Sequence, residues 1–158
     1  MSARAIVVSI HLAPAGGAPV KEVAEARAAA GKGLEGDRYS AGNGTYSKAK
    51  HDPGAEATLI ESEALEALKR EHGIALAPGA SRRNITTRGV ALNDLVGLEF
   101  AIGAVRFRGI RLCEPCAYLQ KLTEPGVMRG LAHRGGLNAE ILTDGVIRVG
   151  DAISVLTD

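Results

Sequence analysis

The only two cysteines of the chain, Cys113 and Cys116, lie three positions apart in the segment RLCEPCAYLQKL. A C-x-x-C pair serves as a redox dithiol, as half of a zinc site, as a thiolate ligand of a softer metal, or as two small core residues. Zinc is the weakest of these interpretations, because a structural zinc needs four ligands and the four histidines are not paired at zinc-finger spacing. The cysteine spacing leaves the other three open.

Two cations and an amide stand together before the apparent strand ITT. These are Arg82, Arg83 and Asn84, and the planar fork of a guanidinium suits phosphate or oxo oxygens. The alternative is a pair of arginines at a solvated strand end.

Two other short segments combine polar groups with glycine. AHRGG contains His133, Arg134 and Gly135, which are a titratable ring, a cation and a backbone that an anion can approach closely. GDRYS contains Asp37 and Arg38 at the start of a long, loop-like stretch. Each has a structural alternative, an ordinary turn for the first and a capped turn for the second.

The composition predicts one domain over residues 1–158 that does not bind nucleic acid or membranes. The net charge is +1, which gives no excess of positive charge for a polyanion or an anionic membrane surface. No apolar stretch approaches the length of a membrane span, and the N-terminal apolar run is too short for a secretory signal. Two neighbouring cysteines do not form the disulfide framework of a secreted domain, so we expect a cytoplasmic protein.

The chemistry-bearing segments must be positioned mainly by strands. RAIVVSIHL, LEFAIGAVRFRGIRLC and AEILTDGVIRVGDAISVL are rich in β-branched residues and bounded by glycines. Asp144-Gly145 predicts a type I′ hairpin turn. SEALEALKREHG predicts a helix that is capped by Ser62 and ended by Gly73, and a shorter helix is predicted to begin at Pro115. Local propensity alone predicts a third helix in KEVAEARAAA.

Four segments, in order, resemble the MOSC domain family, the module also found at the C-terminus of molybdenum cofactor sulfurases. They are GKGLEGDRY, RRNITTRGVALNDLVGLEFAIG, GIRLCEPCAYL and LAHRGGLNAEILTDGVIRVGD. The resemblance implies a mainly β fold built as a closed or partly closed β-barrel. It also implies that the alanine-rich segment is a strand, which we adopt because barrel pairing overrides local propensity.

The resemblance further implies binding of the molybdenum cofactor, molybdopterin, centred on one cysteine. Cys116 matches the family's cysteine in the pattern Pro-Cys-x-x-Leu and is expected to be the catalytic residue, as metal ligand or sulfur acceptor, whereas Cys113 is extra. Tyr39 replaces a histidine that is frequent in the GDR motif, so no proton transfer is expected there. The residues expected to bind the rest of the cofactor are Arg83, Asn84, His133, Arg134, Gly135, Asp37 and Arg38.

Relatives of this module are associated with cofactor sulfuration and with reduction of N-hydroxylated compounds. At the family level alone there is also an association with pyridoxal phosphate. A reductase would need an electron-donor protein, since no flavin, haem or iron–sulfur motif is present. A carrier that holds the cofactor or its sulfur for an accepting protein, and a dithiol redox protein, are the alternatives. The cofactor interpretation predicts that Arg83, His133 and Arg134 converge on one cleft with Cys116.

Overall fold

The computed structural model describes residues 4–14, 19–37, 52–76, 79–115 and 117–156. Within these ranges the protein is mainly β, as predicted. The strands are β1 (Ile6–Leu12), β2 (Lys21–Val23), β3 (Glu25–Ala29), β4 (Gly33–Leu34), β5 (Ala57–Glu61), β6 (Ile85–Arg88), β7 (Glu99–Ile102), β8 (Val105–Leu112), β9 (Leu137–Ile141), β10 (Gly145–Arg148) and β11 (Ile153–Val155). The α-helices are α1 (Ser62–His72), α2 (Ala117–Leu122) and α3 (Val127–Gly130).

The larger sheet curls into a partly closed barrel. Its strand order is β11-β7-β8-β9-β5-β6-β1-β2. The first half of β1 also bonds to the segment that leads into β11: the N–H of Val7 donates to the carbonyl of Asp151 at 3.0 Å. The N–H of Ile153 donates to the carbonyl of Ala5, and that of Gly150 to the carbonyl of Val7, both at 2.9 Å. These bonds join the two sides of the sheet and confirm the predicted barrel class.

Among the described strands, β5 and β6 form a parallel pair, and α1 is its crossover connection. Parallel neighbours need such a crossover, whereas antiparallel neighbours can be joined by a short turn. The helix ends at Gly73, whose φ of 69° is left-handed and whose N–H donates to the carbonyl of Lys69. The N-cap position is Glu61, with no side-chain cap, so the predicted capping by Ser62 is wrong.

The core has two parts. Inside the barrel, the rings of Phe100 and Phe107 stack with centroids 5.4 Å apart. A second buried cluster joins the outer face of β5 to the helices, where Ile60 packs with Leu68 of α1, Leu119 of α2 and Val127 of α3. This second cluster fixes the helical segments that follow the cysteines against the barrel.

Three local predictions had different outcomes. The alanine-rich segment forms β2 and β3, which confirms the strand and excludes the helix favoured by propensity. The hairpin at Asp144-Gly145 is wrong: β10 pairs with β3 in a second sheet, of order β10-β3-β4, and neither residue has a positive φ. The side chain of Asp144 instead accepts the N–H of Ala30 at 2.8 Å. The short helix begins at Ala117 rather than Pro115.

No helix in the described ranges is long and apolar enough to cross a membrane.

Candidate functional site

Two loops lie side by side where β8 ends and β9 begins. We call residues 113–115 the cysteine loop and residues 133–136 the glycine turn. Leu112 pairs with Leu137 in the antiparallel β8–β9 ladder, so the chain leaves β8 next to where it enters β9. The N–H of Cys113 donates to the carbonyl of Gly136 at 2.8 Å. The sheet register therefore brings together two segments that are well separated in sequence.

Arg83 ties these loops to a third segment. Its Nε donates to the carbonyl of Gly135 at 2.8 Å, and its Nη2 donates to the carbonyl of Cys113 at 3.1 Å. Its Nη1 donates to the carbonyl of Ser81 at 3.4 Å. The half-buried guanidinium thus joins the segment before β6 to segments around β9, which is two strands away in the sheet order. Arg83 holds the backbone of the cysteine loop.

Both glycines of the turn are required by close packing. A Cβ on Gly135 would lie 2.6 Å from the carbonyl oxygen of Cys113 and 2.6 Å from Cδ of Pro115. A Cβ on Gly136, whose φ is 122°, would overlap the carbonyl oxygen of Leu59. Glycine is used here for close backbone approach, and what it approaches is the cysteine loop and β5.

The side chain of Glu114, in the cysteine loop, contacts both the backbone and the ring of His133. We call this double contact the clasp. The Oε1 of Glu114 accepts the backbone N–H of His133 at 2.7 Å, and its Oε2 lies 3.0 Å from Nδ1 of the ring. The carbonyl of His133 accepts a hydrogen bond from Nδ2 of Asn93 at 2.8 Å. The φ of His133 is 64°, which is unusual for a residue with a side chain, and the side chain is 86% exposed.

Arg134 faces α1. Its Nε donates to the carbonyl of Gly130 at 2.8 Å, and its two terminal nitrogens lie 3.2 and 3.3 Å from the carboxylate oxygens of Glu71. The hydrogen bond and the charge of Arg134 hold the pKa of Glu71 below its usual range. In this arrangement Arg134 anchors the glycine turn to the end of α1.

Asn84 and Asp37 are buried in polar networks of the sheet. Asn84 is 1% exposed; its Oδ1 accepts from the N–H and the hydroxyl of Thr58, and its Nδ2 donates to the carbonyl of His11. Asp37 is fully buried, and its Oδ1 accepts the N–H of Ala13 at 3.0 Å. Their predicted part in cofactor binding stays a prediction, while the contacts show what each does for the fold.

Cys113 is half-buried next to a paired cation. The guanidinium of Arg111 bonds to the carboxylate of Asp52, and this hydrogen bond, with the nearby charges of Asp52 and Cys113, raises the pKa of Arg111 despite partial burial. Residues 111 and 113 lie two apart on or next to β8, where alternate side chains share a face.

Cys116 and Arg38, two of the predicted site residues, lie outside the described residues. Within the described ranges, no three His, Cys, Asp or Glu side chains are grouped so that they would hold a metal ion. Glu114 and Asn93 were not among the residues expected from the sequence to form the site. The signal for Glu114 was its position between the two cysteines, whereas nothing in the sequence links Asn93 to His133.

The comparisons with known proteins agree with this fold. The structure resembles the YUAD protein from Bacillus subtilis, with a TM-score of 0.80 and 15% identity over 97% of this chain and 96% of that one. It also resembles YiiM from Geobacillus stearothermophilus, with a TM-score of 0.70 and 17% identity over 97% and 75% of the two chains. For YiiM from Escherichia coli the TM-score is 0.69 at 17% identity, over 99% and 71%. No curated protein matches the chain.

At these identities the likeness shows the fold alone. The MOSC domain family model, however, matches residues 46–154, which include the parallel pair, the cysteine loop and the glycine turn. The MOSC domain is often associated with binding of the molybdenum cofactor. The chain belongs to the MOSC domain family.

Proposed function

We propose that this protein binds the molybdenum cofactor and that Cys116 is its thiolate ligand or the acceptor of its sulfur. The observation that supports the proposal best is the Arg83 guanidinium, which joins three of the segments singled out in the sequence. It bonds to Ser81 before β6, to Cys113 in the cysteine loop and to Gly135 in the glycine turn. These three segments are joined by one side chain, and Cys116 directly follows the cysteine loop in the sequence.

The donor set suits such a cofactor at its metal end. A thiolate is a soft ligand that suits molybdenum, and it also carries sulfur as a persulfide. When bound, the cofactor would supply a metal that exchanges electrons and oxygen with a substrate. The protein's own part is to hold the cysteine loop at a fixed place, through Arg83 and the close packing of Gly135.

The phosphate at the polar end of the cofactor cannot be assigned to two arginines that make no other contacts. Arg83 has three nitrogens bonded to protein carbonyls, and Arg134 is paired with Glu71. A guanidinium has five N–H donors, so Arg83 retains capacity to reach a phosphate while it holds the loop. We assign Arg83 a double role, with positioning of the loop as the larger part.

The deciding experiment is metal analysis of protein purified anaerobically, under reducing conditions, from a host that makes the cofactor. Wild type should carry molybdenum below one equivalent and lose it when Cys116 is replaced by serine. Cys113→Ser, the matched control three positions away, should retain most of the metal. Stoichiometric zinc in wild type, or equal metal loss in the two variants, would contradict the proposal and favour a dithiol protein.

A second assay separates an enzyme from a carrier. Wild type that holds molybdenum should reduce an N-hydroxylated compound when a reduced viologen dye supplies electrons. Retention of the metal without turnover, together with its transfer to an acceptor protein, would identify a carrier instead.

A further inference from the structure

His133 was predicted from the sequence to bind the cofactor, and its pairing with Glu114 gives it a chemistry different from that of the other residues in that set. One carboxylate engages both the backbone N–H and the ring Nδ1 of the same histidine. In the neutral ring, an Nδ1 that donates to a carboxylate leaves Nε2 as the acceptor. This contact therefore favours the tautomer protonated on Nδ1 and directs Nε2 to the side away from Glu114.

The backbone at this position has a left-handed conformation that is uncommon for a residue with a side chain. A left-handed φ is unfavourable for a residue with a Cβ, and glycine or asparagine adopts it more readily. The 64° φ of His133 is maintained by bonds on both sides, from Glu114 to its N–H and from Asn93 to its carbonyl. Residues held in this way against an intrinsic preference concentrate at functional sites.

The pair is attached directly to the cysteine loop. Glu114 and Cys116 are separated by one residue, so their Cα atoms are no more than about 7 Å apart at full extension. The glycine turn packs onto the same loop, since Gly135 has room for no Cβ beside Cys113 and Pro115. The ring itself is largely exposed, so water and a substrate can reach it.

We propose that His133, oriented by Glu114, is the proton donor for cleavage of the N–O bond at this site. This rests on the proposed function in its reductive form. In the step, an N-hydroxylated substrate takes two electrons, one from each of two equivalents of reduced viologen dye, and the N–O bond breaks. The protonated Nε2 of His133 gives its proton to the departing oxygen, which leaves as water. The nitrogen takes a second proton from solvent, and His133 is reprotonated by solvent.

Other acidic residues also lie on the elements that neighbour the glycine turn. Asp94 adjoins Asn93, Glu61 accepts the N–H of Leu92, and Glu71 is paired with Arg134. Of the contacts described for the His133 ring, the ionic one is to Glu114. Glu114 is accordingly a positioning residue that acts through His133.

The first test uses variants that separate the reacting nitrogen from the clasp. His133→Asn keeps a side chain that tolerates a left-handed φ and an amide that can bond to Glu114, but it lacks Nε2. We expect unchanged molybdenum content, an unchanged KM and a kcat roughly 100-fold lower. His133→Gly should behave alike and should be partly rescued by added imidazole. His72→Asn, at the exposed end of α1, is the control and should turn over like wild type.

The second test needs no cofactor. In nitrogen-15 NMR spectra of the metal-free protein, the neutral His133 ring should show a protonated Nδ1 and an unprotonated Nε2. Glu114→Gln should shift this balance toward the Nε2-protonated form. Wild-type turnover by His133→Asn, no rescue by imidazole, or a ring tautomer insensitive to Glu114 would each overturn the proton-donor proposal while the cofactor proposal stands. Wild type without molybdenum would overturn both, and the metal analysis reports that separately.

Discussion

At the residue scale, Arg83 illustrates how one side chain organises a site through backbone carbonyls. Its guanidinium donates to three carbonyls in three separate segments. A lysine has a single ammonium on a flexible stem and cannot reproduce this planar set of donors. The identity of the residue therefore matters more than its charge.

We expect Arg83→Lys to lower the free energy of unfolding by about 2–3 kcal/mol, because carbonyls in the loop lose charge-assisted hydrogen bonds. The loosened cysteine loop should also make Cys113 react faster with iodoacetamide. Urea unfolding and mass-spectrometric labelling measure the two effects. Arg108→Lys is the control: its bond to Glu99 is exposed, so the change should cost under about 0.5 kcal/mol. Equal costs for the two arginines would argue against the positioning role.

Some residue assignments followed from the sequence and others did not. Arg83, Gly135 and the cysteines were selected from their types and neighbours, and the structure places Arg83 and Gly135 against the cysteine loop. Asn84 follows Arg83 directly, yet its amide bonds to Thr58 and His11. Adjacent residues on an extended segment point in different directions, so sequence proximity gave no guidance about its partners.

At the element scale, the glycine turn controls how β9 enters the barrel. Gly136 meets the carbonyl of Leu59 on β5, and any side chain there would push β9 away from its neighbour. The cysteine loop bonds to the carbonyl of the same glycine, so displacement of β9 would also move the loop.

Gly136→Ala should therefore destabilise the protein by about 3 kcal/mol, through both steric overlap and an unfavourable φ. Gly150→Ala isolates the second cause, since Gly150 has a φ of 93° and a Cβ added there would have no neighbouring atom within 4 Å. Thermal unfolding of the two variants should differ by the steric part. If they unfold at the same temperature, the contact with Leu59 is relieved by a small local shift.

The elements themselves were predicted best where their signals were local. β7 and β8 meet at Gly103, whose φ is 58°, as the glycine between two β-branched runs indicated. Asp144-Gly145 carried an equally strong hairpin signal, but the partner of β10 is β3, far away in sequence. Pairing across that distance depends on the whole barrel. The Asp144 side chain accepts the N–H of Ala30 and does not take part in a tight turn.

At the scale of the whole molecule, acid stability should depend on the tie between α1 and the glycine turn. The pKa of Glu71 is lowered by its hydrogen bond to Arg134, so the folded state favours the ionised carboxylate. This stabilisation is fully present above the unfolded pKa, about 4.3, and is lost as pH falls through the lower folded value. Glu71→Gln should therefore lower Tm at pH 6, and the difference from wild type should vanish toward pH 3.

Glu61 supplies a comparison of opposite sign. Burial, together with the charges of Glu63 and Asp94, raises its pKa although the N–H of Leu92 opposes the shift. Ionisation of Glu61 therefore costs stability above the folded pKa, and the cost disappears below the unfolded one. Glu61→Gln should gain stability relative to wild type as pH rises. Parallel Tm curves for the two variants would show that neither carboxylate contributes as described.

The bonds that close the barrel also affect the order in which the strands pair during folding. Ala5 and Val7 pair with residues 150–153, across almost the whole sequence, while most other strand pairs form between nearer segments. Contacts of such long separation form slowly because a large loop must be closed first. During synthesis on the ribosome, the first half of β1 therefore keeps one edge unpaired until β11 has been synthesised. An open edge can pair with another chain, so a nascent chain is most exposed to misassembly just before β11 emerges.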